Sequence, residues 1–571
     1  MNRLYKNVKH VHISGIIIFV VLTWMIVAFL LYPNLNLIIK TFIQKGTISL
    51  RAFEKLLSSA RAIKSLRNSF ILAFSMIVTV NIVGTFIVLV TEYFDIKGAK
   101  ILKIGFMSTL VYSGIVLVAG YKFLYGPGGF LAKVIAAMIP GYTAEWFTGY
   151  TAVIFIMTFA CTSNHMIFLT NAIRSIDQGT IEAARNMGAS QLTIIRRVVL
   201  PVLKPTLFSI TILTFLTGLS AISAPLVVGG KGFQTINPMI LQFAKTQTSR
   251  DVAALMALIL GLATFVLLVI MNRVEKGGNY ISISKVKTRL VKQTIQNTSV
   301  NILVHIISYA LFVVYIAPMV MVILFSFTNS VAISKVDLSL NNFTLKNYLN
   351  LFALKGAIEP YVVSIVYSLS AAVIVVIICL IASRIIHKSK SKIGTALEFS
   401  LLIPWLLPST LIALGLIMTY DLPQPIMFNQ VLIGTPFLML YAYIIVKLPF
   451  SLRMLKAAFF SVDESLEEAA KSMGASTFRT FIKIILPILM PTVMAVIALA
   501  FISLLADYDL SVFLYHPSYK PLGIVIKSAT DPETTQDTKA MMFVYSVVLM
   551  IMSTAAIYFV YGKGSDKKIG K

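Results

Sequence analysis

The sequence is short of charged side chains. They make up 12% of its 571 residues, and 58% of the residues are hydrophobic. A soluble globular protein carries roughly 25% charged residues, so this composition excludes an ordinary soluble protein. Acidic residues are fewer than basic ones: the sequence has 22 Asp and Glu against 49 Lys and Arg. Because the basic residues lie mostly in short segments between apolar runs, we interpret them as setting membrane orientation and not as a nucleic-acid surface.

Cysteines and catalytic motifs are also scarce. Cys161 and Cys379 both lie in apolar stretches and form no CxxC pair, so we expect neither a disulfide nor a metal cluster. The sequence contains no G-x4-G-K-[ST] phosphate loop, no H-E-x-x-H and no G-x-S-x-G. His165 follows Asn164 in an apolar stretch, which is more typical of hydrogen bonding between helices than of a metal ligand. We therefore predict no enzyme activity, no bound cofactor and no metal site in this chain.

Long apolar runs are what the sequence has in abundance. Runs of roughly 17–27 residues are long enough to cross about 30 Å of hydrocarbon as helices. We predict an all-α membrane protein of about twelve transmembrane helices, with the first run kept as a span and not cleaved as a signal peptide. The predicted spans are 13–32, 70–91, 104–124, 148–170, 206–229, 252–271, 302–327, 361–387, 396–419, 431–452, 491–515 and 541–561.

The distribution of Lys and Arg predicts the orientation of these spans. Basic residues are more numerous on the cytoplasmic side if both termini are cytoplasmic. Residues 33–69 run against this trend, because they carry seven basic residues yet fall outside; an amphipathic surface helix would account for them. The basic segment 272–300 then reads as a cytoplasmic linker between two halves, 1–271 and 301–571.

A repeated segment occurs once in each predicted half. Residues 182–205 read EAARNMGASQLTIIRRVVLPVLKP and residues 468–491 read EAAKSMGASTFRTFIKIILPILMP, with eleven of 24 positions identical. The offset is 286 residues, from Glu182 to Glu468. Six predicted spans separate the copies, so both face the same side of the membrane and the repeat is parallel. We name the surrounding segments loop 1, residues 175–205, and loop 2, residues 461–491.

Each loop is predicted to begin with a short helix. Ser175-x-x-Gln178 and Ser461-x-x-Glu464 match the capping box, in which a side chain and the backbone at a helix start satisfy each other's free polar groups. We therefore expect a helix to open at each serine and to run through the Glu-Ala-Ala triplet.

Each loop is also predicted to turn and re-enter the membrane. Gly188 and Gly474 are placed to end the first helix, because glycine accepts the left-handed conformation common at helix ends. Ser190 and Ser476 are then placed to cap a second helix. The first prolines after it, near the return to the membrane, are Pro201 and Pro487.

A short rigid helix outside the membrane is suited to sit in a cleft of a soluble motor. Paired Ala residues let two backbones approach closely, and a Glu offers a fixed charge to an Arg or to a helix N-terminus. The alternative is that both loops are ordinary amphipathic segments beside the bilayer. Independent loops need not share Glu-Ala-Ala, Met-Gly-Ala-Ser and Leu-Pro in register, so the two copies favour docking.

The pattern EAA-x3-G-x9-I-x-L-P resembles the signature loop of bacterial ABC importer permeases of the binding-protein-dependent type. The first copy has Val198 in place of Ile, and the second has Ile484. The resemblance implies two fused six-span permeases in the bacterial inner membrane, two ABC ATPase subunits that hold ATP and Mg, and an extracytoplasmic substrate-binding protein. It also implies that the ATPase subunits grip the loops, with the role carried by Glu182, Ala183, Ala184, Gly188 and Pro201, and by Glu468, Ala469, Ala470, Gly474 and Pro487.

A narrower resemblance concerns the substrate. The fused organisation and the segments YGPGG at 125–129, APLVVG at 224–229 and LIPWLLP at 402–408 resemble ferric-iron permeases. That resemblance implies ferric iron as the solute, with thiamine, aminoethylphosphonate or polyamine as alternatives. A secondary transporter with two parallel six-span repeats is the alternative of another class.

One pair of acidic residues is a candidate for the transport pathway. Asp507 and Asp509 are predicted at the outer end of the eleventh span, where acidic groups often mark a pathway. The alternative is a solvated carboxylate pair at the interface. Ferric-iron permeases often carry an acidic residue at the position equivalent to Ala221; the first half lacks it and the second half has Asp507 there.

Overall fold

The computed structural model describes residues 13–44, 46–112, 114–277, 290–388, 392–531 and 533–565, which are almost entirely helical. The helices up to residue 277 are α1 Ile13–Ile26, α2 Tyr32–Phe42, α3 Arg51–Ser58, α4 Ala60–Val88, α5 Ala99–Met107, α6 Gly114–Tyr125, α7 Phe130–Met138, α8 Gly149–Cys161, α9 Ser163–Arg174, α10 Gln178–Asn186, α11 Gln191–Ile194, α12 Leu200–Leu219, α13 Ser223–Val228, α14 Ile236–Ala244 and α15 Arg250–Gly277. Two short antiparallel strands, β1 Ile43–Gln44 and β2 Thr47–Ile48, lie between α2 and α3.

The later helices complete the fold. They are α16 Thr298–Ser326, α17 Ser330–Lys335, α18 Lys346–Ala353, α19 Glu359–Lys388, α20 Lys392–Leu402, α21 Ser409–Tyr420, α22 Phe437–Phe460, α23 Glu464–Ser472, α24 Thr477–Thr480, α25 Leu486–Leu505, α26 Ser511–Leu514, α27 Leu522–Ala529 and α28 Gln536–Ser565.

Within the described ranges, eleven helices are long and apolar enough to cross a membrane, and one bent pair would make a twelfth. This confirms the predicted all-α membrane fold with about twelve spans. The eleven are Val20–Phe42, Ala60–Tyr93, Gly114–Met138, Gly149–Arg174, Gln191–Leu219, Gln247–Met271, Thr298–Ser326, Glu359–His387, Phe437–Phe460, Thr477–Leu505 and Gln536–Ala556.

Several predicted span boundaries are wrong. A helix does not end where its side chains become polar, because its backbone N–H and C=O groups bond to each other whatever the side chains are. The hydropathy of a run therefore places a span without fixing where its helix begins. The spans predicted at 104–124, 206–229, 431–452 and 491–515 lie instead at Gly114–Met138, Gln191–Leu219, Phe437–Phe460 and Thr477–Leu505. The first predicted span, 13–32, begins with α1 at Ile13 as predicted, but its helix continues to Phe42.

The span predicted at 396–419 is broken. Its two helical parts, Gly394–Leu406 and Ser409–Tyr420, are bent by 102°. Pro408 lies in the break, has no N–H to donate and disfavours helical backbone in the residue before it. Leu407 accordingly has extended backbone, with φ −111° and ψ 126°.

The segment 33–69 is mostly helical. Its first part continues the first span through α2, which moves several of its residues into a helix that was predicted to end at 32. It also contains an amphipathic helix, as its basic residues suggested. In α3, Ala52 and Leu56 are buried, while Glu54 is exposed.

The chain forms two compact units, each made from parts of both sequence halves. One comprises residues 1–52, 359–521 and 554–571; the other comprises residues 53–358 and 522–553. The first unit therefore joins the N-terminal helices to α19–α26, and the second joins α16–α18 to α4–α15. The division into repeat halves at 1–271 and 301–571 concerns sequence similarity and stays a prediction.

In the first unit, α1 and α2 are held by residues from the second half of the chain. The Phe29 ring stacks on Tyr441 with 4.0 Å between centroids. The Trp24 indole N–H donates to the carbonyl of Ile426 over 3.1 Å, and the Tyr420 hydroxyl donates to the carbonyl of Ala28. Around them α2 packs on α21, and α19 packs on α22 and α25.

In the second unit, a buried polar cluster joins three helices. His165 on α9 is fully buried, and its Nε2 lies 3.0 Å from Oδ1 of Asn81 on α4. The Asn81 amide also donates to Oγ1 of Thr211 on α12 over 3.0 Å. This geometry confirms the prediction that His165 makes hydrogen bonds between helices.

We predict that Gly84→Ala destabilises the second unit. A methyl group at Gly84 would overlap the His165 ring, and overpacking of this kind costs about 1–3 kcal/mol. The thermal midpoint of the purified protein in detergent should fall. Gly114→Ala is the matched control, because its added methyl meets nothing within 4 Å. A Gly84→Ala protein as stable as the wild type would contradict the packing described.

Candidate functional site: two helical loops related by a sequence repeat

The two loops have the same succession of elements at the same 286-residue offset. In loop 1, α10 is followed by α11, a π-helical turn at Ile195–Val199, and α12. In loop 2, α23 is followed by α24, a π-helical turn at Phe481–Ile485, and α25. The predicted pair of helices joined by a turn is confirmed in both copies.

An aspartate caps the first helix of each loop. The Asp463 carboxylate accepts a hydrogen bond from the Ser465 N–H at 2.9 Å, and Asp177 accepts one from Gly179 at 3.4 Å. The bonds from Ser465 hold the pKa of Asp463 below its usual value. Because that pKa is lowered in the folded chain, this cap contributes at any pH above the usual carboxyl range and is lost as the pH falls through the lowered pKa.

The predicted capping boxes are wrong. Ser175 lies at the end of α9 and its hydroxyl donates backwards to the carbonyl of Ala172, while Ser461 donates in the same way to Ala458. Each preceding helix runs almost to the serine, so the serine closes that helix and the aspartate two residues later opens the next one. Asp177 and Asp463 occupy equivalent positions of the repeat, and this was the feature of the sequence that could have identified the caps.

The turn between the two helices is as predicted. Gly188 and Gly474 have φ of +80° and +81°, a conformation in which a side chain is strained. The hydroxyl of Ser190 accepts from the Thr193 N–H, and that of Ser476 from the Arg479 N–H, each at 3.3 Å. Pro201 and Pro487 follow the π-helical turns inside one continuous helix and do not begin a separate one.

The Glu-Ala-Ala triplets have the same burial pattern in both loops. The second alanine, Ala184 or Ala470, is buried. The first alanine and the glutamate, Ala183 with Glu182 and Ala469 with Glu468, are exposed. Each short helix is thus anchored by one alanine and presents the other alanine and the carboxylate outward.

An exposed methionine follows each triplet, which the sequence alone did not single out. Met187 is 81% exposed and Met473 is 80% exposed. The flexible side chain of Met adapts its shape to a partner surface, so an exposed Met at the same place in both loops is a candidate contact. Methionine occurs at this position in both copies of the repeat, and this was the feature of the sequence that could have identified it.

The loops differ in how they are anchored. In loop 1 the residue before the triplet is Ile181, which is fully buried. In loop 2 that position is Glu467, whose carboxylate pairs with Arg384 at 3.2 Å and with Lys471 at 3.7 Å. The Arg384 guanidinium also lies 5.0 Å from the ring centre of Phe481. The same backbone is therefore held by apolar burial in one copy and by ion pairs in the other.

The structure places Asp507 and Asp509 just beyond the end of α25. The Asp507 carboxylate accepts backbone N–H groups of Leu510 at 3.2 Å and Ser511 at 3.0 Å, which fixes the start of α26. Asp509 lies half-buried in the same turn. Asp507 thus has a structural role, and a pathway role for the pair stays a prediction.

Comparison with known proteins assigns the chain to a family. Residues 58–277 and 380–568 match the family model described as binding-protein-dependent transport system inner membrane component. The chain belongs to this family. Each matched segment contains one of the loops, and the chain is an ABC importer permease that spans the membrane several times.

Two of three similar proteins match most of the permease, and the third matches less than half of it. A probable ABC transporter permease protein, y4fN, of Sinorhizobium fredii is 36% identical over 94% of this chain and 94% of its own length. The putative ferric transport system permease protein FbpB 1 of Haemophilus influenzae is 22% identical over 88% of this chain and 78% of its own length. A putative 2-aminoethylphosphonate permease, PhnU, of Salmonella typhimurium is 24% identical over 43% of this chain and 86% of its own length.

A solved structure covers about half of the permease. It is a chain of a bacterial ABC transporter involved in the import of the acidic polysaccharide alginate, with a TM-score of 0.40 and 19% sequence identity. The match covers 48% of this chain and 99% of that chain.

We predict that Asp463→Ala loosens the first helix of loop 2, whereas Ser461→Ala does not. Removing the carboxylate frees the Ser465 N–H, and removing the Ser461 hydroxyl leaves that cap intact. Amide hydrogen exchange of residues 465–467, followed by mass spectrometry, should be several-fold faster in the aspartate variant. If only the serine variant exchanged faster, the result would instead support the predicted capping box at Ser461.

Proposed function

We propose that loops 1 and 2 are the sites at which two separate ATPase subunits dock on the cytoplasmic side of this permease. Both termini are then cytoplasmic, ATP and Mg²⁺ belong to the ATPase subunits, and this chain binds no cofactor and catalyses no reaction. The observation that carries the proposal is the pair of short helices, alike in backbone and capping at a 286-residue offset, that present a glutamate and an apolar side chain outward.

The exposed side chains are chemically suited to such docking. Glu182 and Glu468 provide a carboxylate for an arginine or a helix N-terminus of the partner. Met187 and Met473 provide apolar area that becomes buried on contact. Because Ala184 and Ala470 anchor each helix from behind, the surface is held in place before the partner arrives.

The connection from each loop into the membrane supports mechanical coupling. Helical structure is continuous across Gln191–Leu219 and across Thr477–Leu505, through the π-helical turns. A shift of a loop by its ATPase subunit therefore moves a whole span. Alternating access follows if ATP binding draws the two loops together and rocks the spans between two states.

Charge reversal at both glutamates tests the docking. We expect Glu182→Lys with Glu468→Lys to lower the amount of ATPase subunit that co-purifies with the permease by roughly tenfold or more, because each lysine repels the cationic or helix-dipole partner of the carboxylate. The matched control is Glu145→Lys with Glu533→Lys, two exposed positions placed on the opposite side by the predicted orientation. Unchanged co-purification in the loop variant, at normal membrane levels, would reject the docking sites.

Ferric iron is the solute we propose, delivered by an extracytoplasmic binding protein. Two relatives that match most of this chain are named ferric permeases, from Haemophilus influenzae and from Actinobacillus pleuropneumoniae, the latter 23% identical over 95% of this chain. Among the described residues, no three His, Cys, Asp or Glu side chains are grouped to hold a metal ion. We therefore assign selection of the ion to the binding protein, with Asp507 and Asp509 as candidate pathway groups.

Uptake by cells with and without the permease gene tests this assignment. We expect loss of the permease to abolish accumulation of radioactive ferric iron and to leave uptake of labelled 2-aminoethylphosphonate unchanged. The opposite result would assign the phosphonate as solute and leave the ATPase docking untouched. Transport by vesicles that contain this chain alone, driven by an ion gradient, would instead support the secondary transporter.

A further inference from the structure

The last part of the predicted linker 272–300 is attached to loop 1. We call residues 290–297 the brace. Its Gln293 pairs with Phe94 as a single parallel bridge: the Gln293 N–H donates to the carbonyl of Tyr93 at 2.8 Å, and the Asp95 N–H donates to the carbonyl of Gln293 at 3.0 Å. The brace is thereby fixed to the end of the long helical span Ala60–Tyr93.

The side chain of Gln293 joins both ends of the helix α10. It is 4% exposed. Its Oε1 accepts a hydrogen bond from the Arg185 guanidinium in the last turn of α10, and its Nε2 donates to Oε1 of Gln178, the first residue of α10, at 3.3 Å. A buried amide is costly unless its polar atoms are paired, and the Gln293 amide also donates to the carbonyl of Val291.

The bonds continue to the glutamate of the Glu-Ala-Ala triplet. Gln178 accepts from the Val291 N–H at 3.2 Å as well, and its own Nε2 donates to Oε1 of Glu182 at 2.9 Å. A chain of hydrogen bonds therefore runs from the brace through Gln178 to the exposed carboxylate. The Gln191 amide adds a second contact, donating to the carbonyl of Thr294 at 3.0 Å.

Loop 2 is held differently. The described contacts of the first helix of loop 2 include the ion pair of Glu467 with Arg384 of α19. The residue at the equivalent position of loop 1 is Ile181, which carries no charge. The brace thus adds to loop 1 a set of polar contacts that is unrelated to the 286-residue repeat.

We propose that Gln293 is a positioning residue that sets the orientation of α10 and of Glu182 for the ATPase subunit at loop 1. This inference rests on the proposed docking of ATPase subunits at the loops. Gln293 connects the first and last turns of α10 through one rigid amide, so its loss frees the helix to tilt about the buried Ala184. The linker between the two halves would then act on one ATPase contact and not on the other.

Spin-label mobility tests the positioning without any ATPase. Thr180→Cys on α10 and Leu466→Cys on α23 are exposed positions related by the repeat, and the native Cys161 and Cys379 are buried. We expect Gln293→Ala to raise the mobility of the label at 180 and to leave the label at 466 unchanged. The control is Gln296→Ala, an exposed glutamine in the same brace. Equal mobility in Gln293→Ala and wild type, or a rise at both labels, would overturn the proposal.

Reconstituted complexes test the consequence for transport. In nanodiscs or vesicles with both ATPase subunits, Gln293→Ala should leave the ATPase bound but lower the solute transported per ATP hydrolysed by about fivefold or more. The alanine removes both side-chain bonds to α10, with Arg185 and with Gln178, and one hydrogen bond of ordinary strength corresponds to about fivefold. Gln293→Glu keeps an acceptor for Arg185 and should recover part of the ratio. A normal ratio in Gln293→Ala would overturn the proposal.

The two hypotheses fail in different ways. If the wild-type permease binds no ATPase at all, the docking proposal fails, while the label at position 180 still reports whether Gln293 holds α10. If the ATPase binds and the label at 180 does not respond to Gln293→Ala, docking stands and the positioning role is rejected.

Discussion

The structure depends on one constraint, which is that a peptide group inside a bilayer has no water to bind. An unpaired N–H or C=O there costs several kcal/mol, so a chain can cross only where the backbone satisfies itself. The spans of this permease are accordingly helices, and their irregularities are local. The bend at Pro408 occurs where proline removes a donor, and the π-helical turns before Pro201 and Pro487 keep a helix continuous past residues that would otherwise interrupt it.

That continuity gives the loops their mechanical value. A loop joined to the membrane by a flexible turn could be gripped without moving a span. Here the second helix of each loop is the first part of a span, so the exposed helix and the membrane helix move together. The left-handed glycine between the two short helices fixes their angle, and the capping aspartate and serine pair the free N–H groups on either side.

The repeat conserves the backbone of the loops more closely than their surroundings. Ile181 is buried where Glu467 forms ion pairs, and the brace contacts loop 1 through Gln293. Two copies of one docking element can therefore have different stiffness and different connections to the rest of the chain. A fused permease can build such asymmetry because one chain carries both copies, whereas two identical subunits cannot.

The sequence by itself determined the all-helical membrane class, the number of spans, the parallel repeat and the local form of the loops. These follow from hydropathy and from short-range backbone chemistry, such as the need for glycine at Gly188 and Gly474. It did not determine where the helices begin and end, because a helix continues beyond the apolar run that marks its span. Ser175 and Ser461 were therefore predicted to begin a helix, although each follows the last residue of the preceding one. Only the tertiary structure decided that α1 and α2 pack with α19–α26 and that Gln293 lies against Gln178, 115 residues away. Such contacts depend on which surfaces meet after the helices form, and neither periodicity nor motif spacing records that.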